Sequence, residues 1–232
     1  SAFSVSVFAS ASSSSSVAAA AAAAGTADSS GGKGDAIAAT TNRTRIGLRP
    51  TAAEAFPHLL DFIYSPPNNA APVAGLCTAN AVALRHLASC FGVRELFNAV
   101  TSFVKRDLRA DTAPSYLVES DAYGHEKLVE ASAKVCAEHF ETIKLSKIVV
   151  LGPTLFRRVV RSPHLKCDSE VLSARVASYC RCRPGGVGVD VLVGLTGADV
   201  MPRVAPEEAL FYIHLLSVLG MELPDRRGGE GG

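Results

Sequence analysis

Histidine and cysteine residues in the C-terminal third of the chain have the side-chain types that bind zinc. His164, Cys167, Cys180 and Cys182 lie near one another in the sequence, and imidazole and thiolate are preferred zinc ligands. The last two form a C-x-C pair, whereas structural zinc sites favour about two to four residues between paired cysteines. The pattern therefore favours free, buried or half-buried thiols over a zinc site.

The chain has six cysteines, and most of them fall within apolar helical patterns rather than in a regular loop framework. In a chain of this length, such usage is typical of reduced thiols. We therefore predict a cytoplasmic or nuclear protein.

Two glycine-rich segments, Gly185–Gly188 and Gly194–Gly197, resemble phosphate-binding loops only in composition. Neither has the GxxxxGK[ST] or GxGxxG spacing that cradles a phosphate. His125, Glu138 and His139 form no HExxH pattern, and no local Ser-His-Asp signature of a hydrolase is present. The sequence therefore predicts a protein that is not an enzyme, with no cofactor and no small-molecule substrate.

The net charge of the chain does not predict binding to a nucleic acid or a membrane. The formal net charge is +1, so no overall attraction to an anionic surface is expected. No segment approaches the roughly 18 consecutive apolar residues that suggest a membrane span. Arg157, Arg158 and Arg161 occupy the polar side of a predicted helix, where a solvated face is the default and an acidic partner is the alternative.

The N-terminal segment is unlike the rest of the chain. Residues 1–44 are dominated by Ser, Ala and Gly, including the runs Ser12–Ser16 and Ala18–Ala24. Few of these side chains are large and apolar, so burial cannot offset the entropy cost of ordering the backbone. We predict a disordered segment at 1–44 and a flexible tail at 221–232.

Short amphipathic helices follow, after a possible edge strand at 46–48. Thr51 and Glu54 have the spacing of a capping box, and Pro57 is tolerated only in a first turn. We therefore expect the first helix to begin between Glu54 and Phe56. Its expected core residues are Phe56, Leu59, Leu60 and Ile63.

The later helices are predicted from the same periodicity. Their expected starts are Asn80, Arg94, Thr112, Glu126, Thr154, Asp168 or Ser169, and Pro206, with a glycine-rich connection from Pro184 to about Gly197. The expected core residues are Leu128, Ala131, Val135 and His139 in the fifth helix, and Leu210, Ile213, Leu216 and Val218 in the last. The predicted fold class is mainly α.

The order of these segments resembles a known adaptor family. The segment from Phe56 to Ser65 is similar to the "aF..LLdfiYt" helix of a BTB/POZ domain. The segments 80–88, 91–96 and 100–108 are similar to the helices that close that domain.

The following residues resemble the opening helices of a BACK domain: Tyr116, Leu117, Tyr123, Gly124, Leu128, Cys136 and Phe140. Leu165–Glu170 resembles the "L.v.SE" turn of a later BACK helix. The resemblance implies the C-terminal half of a BTB/POZ domain at 45–109 and a BACK-like helical domain at 110–220. The strands and helix that form the BTB homodimer surface have no counterpart, so we expect a fragment.

The resemblance also implies a function. BTB–BACK proteins are adaptors that bring substrates to a cullin-based ubiquitin ligase, and the end of the first BTB-like helix faces the cullin. Asp61, Tyr64 and Ser65 are the partner-binding residues that this implies, with a cullin and a BTB-type self-association partner as the expected proteins. Two alternatives are a BTB-type assembly or transcription-regulatory scaffold without ligase coupling, and a small structural metal-binding helical domain.

Overall fold

Helices dominate the computed structural model, which describes residues 5–9, 44–65, 75–183, 186–196 and 200–218. In chain order they are α1 (Pro50–Tyr64), α2 (Thr78–Cys90), α3 (Arg94–Asp107), α4 (Ala113–Ala122), α5 (Glu126–Glu138), α6 (Leu145–Ile148), α7 (Pro153–Val160), α8 (Ser169–Cys182), α9 (Val189–Thr196) and α10 (Ala209–Val218). A 3-10 turn at Pro206–Glu208 precedes α10. The prediction of a mainly α fold is confirmed, and none of the described helices is long and apolar enough to cross a membrane.

Two short strands precede the helices. β1 (Val5–Ala9) pairs in parallel with β2 (Thr44–Leu48), and Val7 lies opposite Ile46. The strand at 44–48 agrees with the apolar stretch noted in the sequence. β1 lies inside the segment that composition predicts to be disordered. The Val and Phe residues of this pentapeptide favour a strand. Residues 1–4, 10–43 and the predicted tail at 221–232 lie outside the described residues.

The start of α1 differs from its prediction. The helix begins at Pro50, a favourable first position for proline, and Ala53 N–H donates to the Arg49 carbonyl at 2.8 Å. Thr51 does not cap the helix, because its hydroxyl lies 2.7 Å from the Tyr123 hydroxyl. Pro57 consequently sits inside the helix, so a tertiary contact overrides the local pattern.

Helix α3 begins at Arg94 as predicted, whereas α2 begins at Thr78, two residues before its predicted start. Gly92 has a φ of +71°, the left-handed conformation that ends a helix. Asn80 is not the N-cap of α2; it occupies the third helical position, where its side-chain oxygen accepts from Cys77 N–H at 2.9 Å. The two groups form a reciprocal cap, with Cys77 at the N-cap.

Two hydrophobic clusters organise the helices. The first joins the apolar faces of α1, α2 and α3 and takes Tyr116 from α4. The second is built from α4 to α10 and centres on Phe140, Phe156 and Tyr179; the last two rings stack at 3.8 Å. Leu108 packs against both clusters. The division of the chain into BTB-like and BACK-like domains stays a prediction.

A carboxylate at the end of α3 joins α2, α3 and α4, and α4 contributes residues to both clusters. Asp107 Oδ2 accepts hydrogen bonds from the Thr78 hydroxyl and from the Tyr116 hydroxyl, both at 2.7 Å. Thr112 begins α4 as predicted, but its hydroxyl turns back to the α3–α4 link, where it accepts from Arg109 N–H at 3.0 Å and donates to the Asp107 carbonyl. The starts of α2 and α4 are therefore held at the end of α3.

The buried face of α5 is one residue away from its prediction. Ala131 and His139 are exposed. The residues that face the second cluster are Val129, Ser132, Ala133, Cys136 and Ala137. These small side chains let α5 lie close to α4, because the distance between packed helices depends on the side chains at the contact.

Two further predictions near the C-terminus are wrong. The glycine-rich connection contains α9, which buries Leu192 and Leu195. Of the residues expected in the core, Leu210 is 80% exposed and Ile213 is 52% exposed, while the side chains of Leu216 and Val218 lie outside the description. Tyr212 takes the buried face of α10.

Aromatic contacts explain this orientation of α10. The Tyr212 hydroxyl donates to the Ser173 carbonyl at 2.7 Å. The Arg181 guanidinium lies 4.8 Å from the centre of the Phe211 ring. Large rings bury more apolar area than Leu or Ile, so they decide which side of α10 meets the core.

The starts of α7 and α8 lie within one residue of their predictions. Asp168 caps α8 by accepting from Ser169 N–H at 2.8 Å. Arginines within and directly after α8 also fix the preceding segments: Arg175 donates to the carbonyls of Ile143 and Glu141, and Arg183 donates to those of Val149 and Leu151. The links on either side of α6 thereby gain partners for carbonyls that no helix satisfies.

Replacing Tyr116 by Phe tests the connection between α3 and α4. The change removes one partly buried hydrogen bond to a carboxylate, and hydrogen bonds to charged groups contribute about 1.5–3 kcal/mol. We expect urea unfolding of Tyr116→Phe to show a loss of free energy in that range. Tyr64→Phe is the matched control, because Tyr64 is 82% exposed; equal stability of the two variants would contradict the role of Tyr116.

Candidate functional site

The C-terminal end of α1 presents a small, mixed surface to solvent. Tyr64 is 82% exposed and Ile63 is 46% exposed, and Asp61 and Ser65 are exposed as well. The Ser65 hydroxyl donates to the Asp61 carbonyl at 2.5 Å and so satisfies one of the free carbonyls of the last turn. The three residues predicted from the resemblance therefore lie together.

The packing of α1 on α2 positions this surface. Phe56 and Leu59 are buried against the first cluster. The His58 ring lies against Gly75, where an added Cβ would approach His58 Cε1 to 2.8 Å. Gly75 has a φ of +77°, and its carbonyl accepts from Asn80 Nδ2 at 2.8 Å. The start of α2 thus abuts the last turns of α1 and leaves Tyr64 on a supported helix.

An aromatic ring, an aliphatic side chain and a carboxylate can bind a protein. Aromatic side chains contribute strongly to interfaces because they bury a large area at a small cost in conformational entropy. Tyr64 brings such a ring, and Asp61 brings a hydrogen-bond acceptor beside it. The surface offers an anchor for a partner with an apolar pocket and a nearby donor.

A second group of polar side chains lies where α1, α2 and the α4–α5 turn meet. The rings of His86 and Tyr123 have centres 4.8 Å apart, and the centre of the His125 ring is 5.6 Å from that of His86. The Arg49 guanidinium lies 5.5 Å from the centre of the Tyr123 ring. We call the three rings of His86, Tyr123 and His125 the histidine junction.

Burial sets the charge of the histidine junction. It lowers the pKa of His125 to about 4, with the charges of Arg85 and His86 adding to the effect. Burial and the nearby Arg49 also lower the pKa of His86. Both imidazoles are therefore neutral at pH 7. His125 Nε2 is buried and has no hydrogen-bond partner among the described residues.

The carboxyl group of Glu119, beside the histidine junction, has a raised pKa. Burial raises the pKa of Glu119, although the Thr51 hydroxyl and the Arg49 charge oppose this shift. The Thr51 hydroxyl lies 3.4 Å from Glu119 Oε2. Glu119 therefore takes up a proton more readily in the folded protein than in the unfolded chain.

The zinc candidates are not assembled into a site. His164 and Cys182 are exposed, and Cys167 and Cys180 are half-buried. Within the described residues, no three His, Cys, Asp or Glu side chains form a group that could hold a metal ion. Burial raises the pKa of Cys167 to about 12 and that of Cys180 to about 11, so both thiols stay protonated.

The described residues of the two glycine-rich segments lie within or next to helix α9. Gly194 lies inside α9, under the Arg157 side chain, and its carbonyl accepts from Arg161 Nε at 3.0 Å. Gly186 and Gly188 precede α9, while Gly185 and Gly197 lie outside the described residues. Glu138 lies 4.0 Å from Lys134 on the surface of α5, and His139 is exposed.

Comparisons of this chain with protein-family models, with curated proteins and with solved structures found no match.

Sequence reasoning missed the histidine junction. In the sequence, His125 is noted only because it forms no HExxH pattern, and His86 lies in a segment that resembles a BTB helix. Their side chains come from elements separated by about forty residues of sequence, so no spacing pattern joins them. The sole local signal is Tyr123-Gly124-His125, a turn in which Gly124 has a φ of +67°.

The histidine junction predicts a loss of stability in mild acid. The pKa of His125 falls from about 6.5 in the unfolded chain to about 4 in the fold. Between these values the unfolded chain binds more protons than the folded protein, so the free energy of unfolding decreases as pH falls. We expect the urea midpoint of the wild-type protein to drop between pH 7 and pH 5, and that of His125→Gln to drop less.

His139→Gln is the matched control, because His139 is exposed and its loss leaves the junction intact. Glu119 works in the opposite direction, since its raised pKa favours the folded state as the carboxyl group is protonated. In Glu119→Gln, the free energy of unfolding should therefore decrease more steeply as pH falls. An unchanged pH dependence in His125→Gln contradicts the account.

Proposed function

We propose that this chain is a non-catalytic adaptor of the BTB/POZ–BACK type that links a protein substrate to a cullin-based ubiquitin ligase in the cytoplasm or nucleus. The observation that carries the proposal is the 82% exposure of Tyr64 at the end of a helix whose other face is buried. The order of motifs from Phe56 to Glu170 supplies the family resemblance.

Each residue of the α1 surface has a role in this proposal. Tyr64 inserts its ring into an apolar pocket of the cullin, and Ile63 widens the apolar contact. The Asp61 carboxylate accepts a hydrogen bond from a donor on the partner. Ser65 orients the last turn, since its hydroxyl donates to the Asp61 carbonyl.

The adaptor performs no bond chemistry in this proposal. Burial raises the pKa of Cys136 to about 12, and the thiols of Cys167 and Cys180 are also protonated at neutral pH. A protonated thiol is a poor nucleophile. These shifts support a protein that positions partners and leaves transfer chemistry to the rest of the ligase.

An assembly scaffold without ligase coupling is the second candidate. The observation in its favour is the exposed apolar side of α10, where Leu210 is 80% exposed and Ile213 is 52% exposed. These residues lie three positions apart, on one face of the helix. Such a face suits self-association or a partner other than a cullin.

The role of Tyr64 can be tested with purified proteins. We expect Tyr64→Ala to weaken binding of the full chain to a purified cullin at least about tenfold, since an aromatic anchor contributes about 2 kcal/mol. Biolayer interferometry measures the dissociation constant. Leu210→Ala is the matched control, because Leu210 is equally exposed on a different helix.

The same measurement separates the two candidates. Binding that depends on Tyr64 and tolerates Leu210→Ala supports the ligase adaptor. Absence of cullin binding contradicts it, and light scattering then tests the assembly scaffold. In that case Leu210→Ala should reduce the self-associated fraction.

A further inference from the structure

The solvent face of α7 carries a stripe of basic side chains. Thr154, Arg157, Arg158 and Arg161 are exposed and follow the i, i+3, i+4, i+7 spacing that places residues on one side of a helix. We call Arg157, Arg158 and Arg161 the arginine stripe. Its three residues span about 6 Å along the helix axis at roughly 1.5 Å per residue.

The sequence around the stripe contains no acidic residue. From Glu141 to Asp168 the intervening chain has six Lys or Arg residues and no Asp or Glu. The rest of the chain has 17 Lys or Arg residues and 22 Asp or Glu residues. This segment is therefore strongly positive within a nearly neutral chain. Its basic residues are all exposed: Lys144, Lys147, Arg157, Arg158, Arg161 and Lys166.

The charges of Arg157 and Arg158 are not neutralised locally. Neither guanidinium forms an ion pair with a residue that the structure describes. The Arg157 side chain lies over Gly194 of α9, where an added Cβ would come within 3.0 Å of its Nε atom. This contact directs Arg157 along the boundary between α7 and α9.

An open recess with a mixed polar and aliphatic lining lies at the end of the stripe. It has a volume of about 320 Å³ and is lined by Val160, Arg161, Leu165 and Val200. The Arg161 Nε atom donates to the Gly194 carbonyl at 3.0 Å, which fixes this side chain at the rim. A space of this size accepts an aliphatic side chain among three apolar residues.

We propose that the arginine stripe and this recess bind an acidic linear peptide segment of a partner protein. An aliphatic side chain of the peptide enters the recess between Val160, Leu165 and Val200. Carboxylates on either side of it bind Arg157 and Arg158, whose guanidinium groups match carboxylate geometry. The proposal does not rest on the α1 surface, because α7 belongs to the second cluster.

The surroundings favour a peptide over a nucleic acid. Single-stranded nucleic acids bind through aromatic side chains on which bases stack, as well as through positive charge. Phe156, the phenylalanine of α7, is fully buried and stacked on Tyr179. Among the residues that the structure describes, the recess therefore offers aliphatic contacts and no ring to a base.

A fluorescein-labelled peptide, Glu-Asp-Glu-Leu-Glu-Asp-Glu, tests the proposal by fluorescence anisotropy with the full chain. We expect saturable binding that Arg157→Glu/Arg158→Glu weakens by at least about tenfold, because two attractions become repulsions. A peptide with Ser in place of Leu should bind about fivefold more weakly, since it leaves the recess without an apolar occupant.

Lys105→Glu/Arg106→Glu is the matched control, because it reverses two exposed neighbouring charges on α3 without touching the stripe. Circular dichroism verifies that both double variants are folded. Equal loss of binding in the two variants overturns the proposal, as does equal affinity for the Leu and Ser peptides. Tighter binding of a single-stranded oligo-dT than of the peptide also overturns it.

Discussion

The Asp107 carboxylate is the contact on which the arrangement of the helices depends. It ends α3, accepts from Thr78 at the start of α2, and accepts from Tyr116 of α4, with both bonds at 2.7 Å. Burial alone would raise its pKa, but these two hydrogen bonds, aided by Arg109, hold the pKa of Asp107 below its ordinary value. The charged acceptor strengthens both bonds, and Tyr116 carries the connection into the first hydrophobic cluster.

This connection gives the two proposed binding surfaces a common frame. The α1 surface belongs to the first cluster and the arginine stripe belongs to the second. A second contact, between the hydroxyls of Thr51 and Tyr123, joins α1 to the end of α4. An adaptor that brings two proteins together requires such a frame, because flexible joints between binding sites add an entropy cost to simultaneous binding.

Local patterns predicted those features that local interactions decide. The bounds of α3 follow from its own periodicity and from Gly92, and the start of α8 follows from Asp168. The face of α5 could not be predicted, because Leu128 and Val135 suggest one apolar stripe while contact with α4 selects a neighbouring stripe of small residues. Thr51 likewise matches a cap, yet its partner Tyr123 lies 72 positions away. The histidine junction and the recess beside Arg161 arise only from tertiary packing.

The most direct test of the proposed adaptor is amide hydrogen exchange of the full chain, alone and with a purified cullin. Exchange reports which backbone segments a partner covers. The account predicts slower exchange in the last turns of α1, including Asp61 and Tyr64, with little change in α7. Slower exchange confined to helices other than α1, or no change anywhere at saturating cullin, would contradict it.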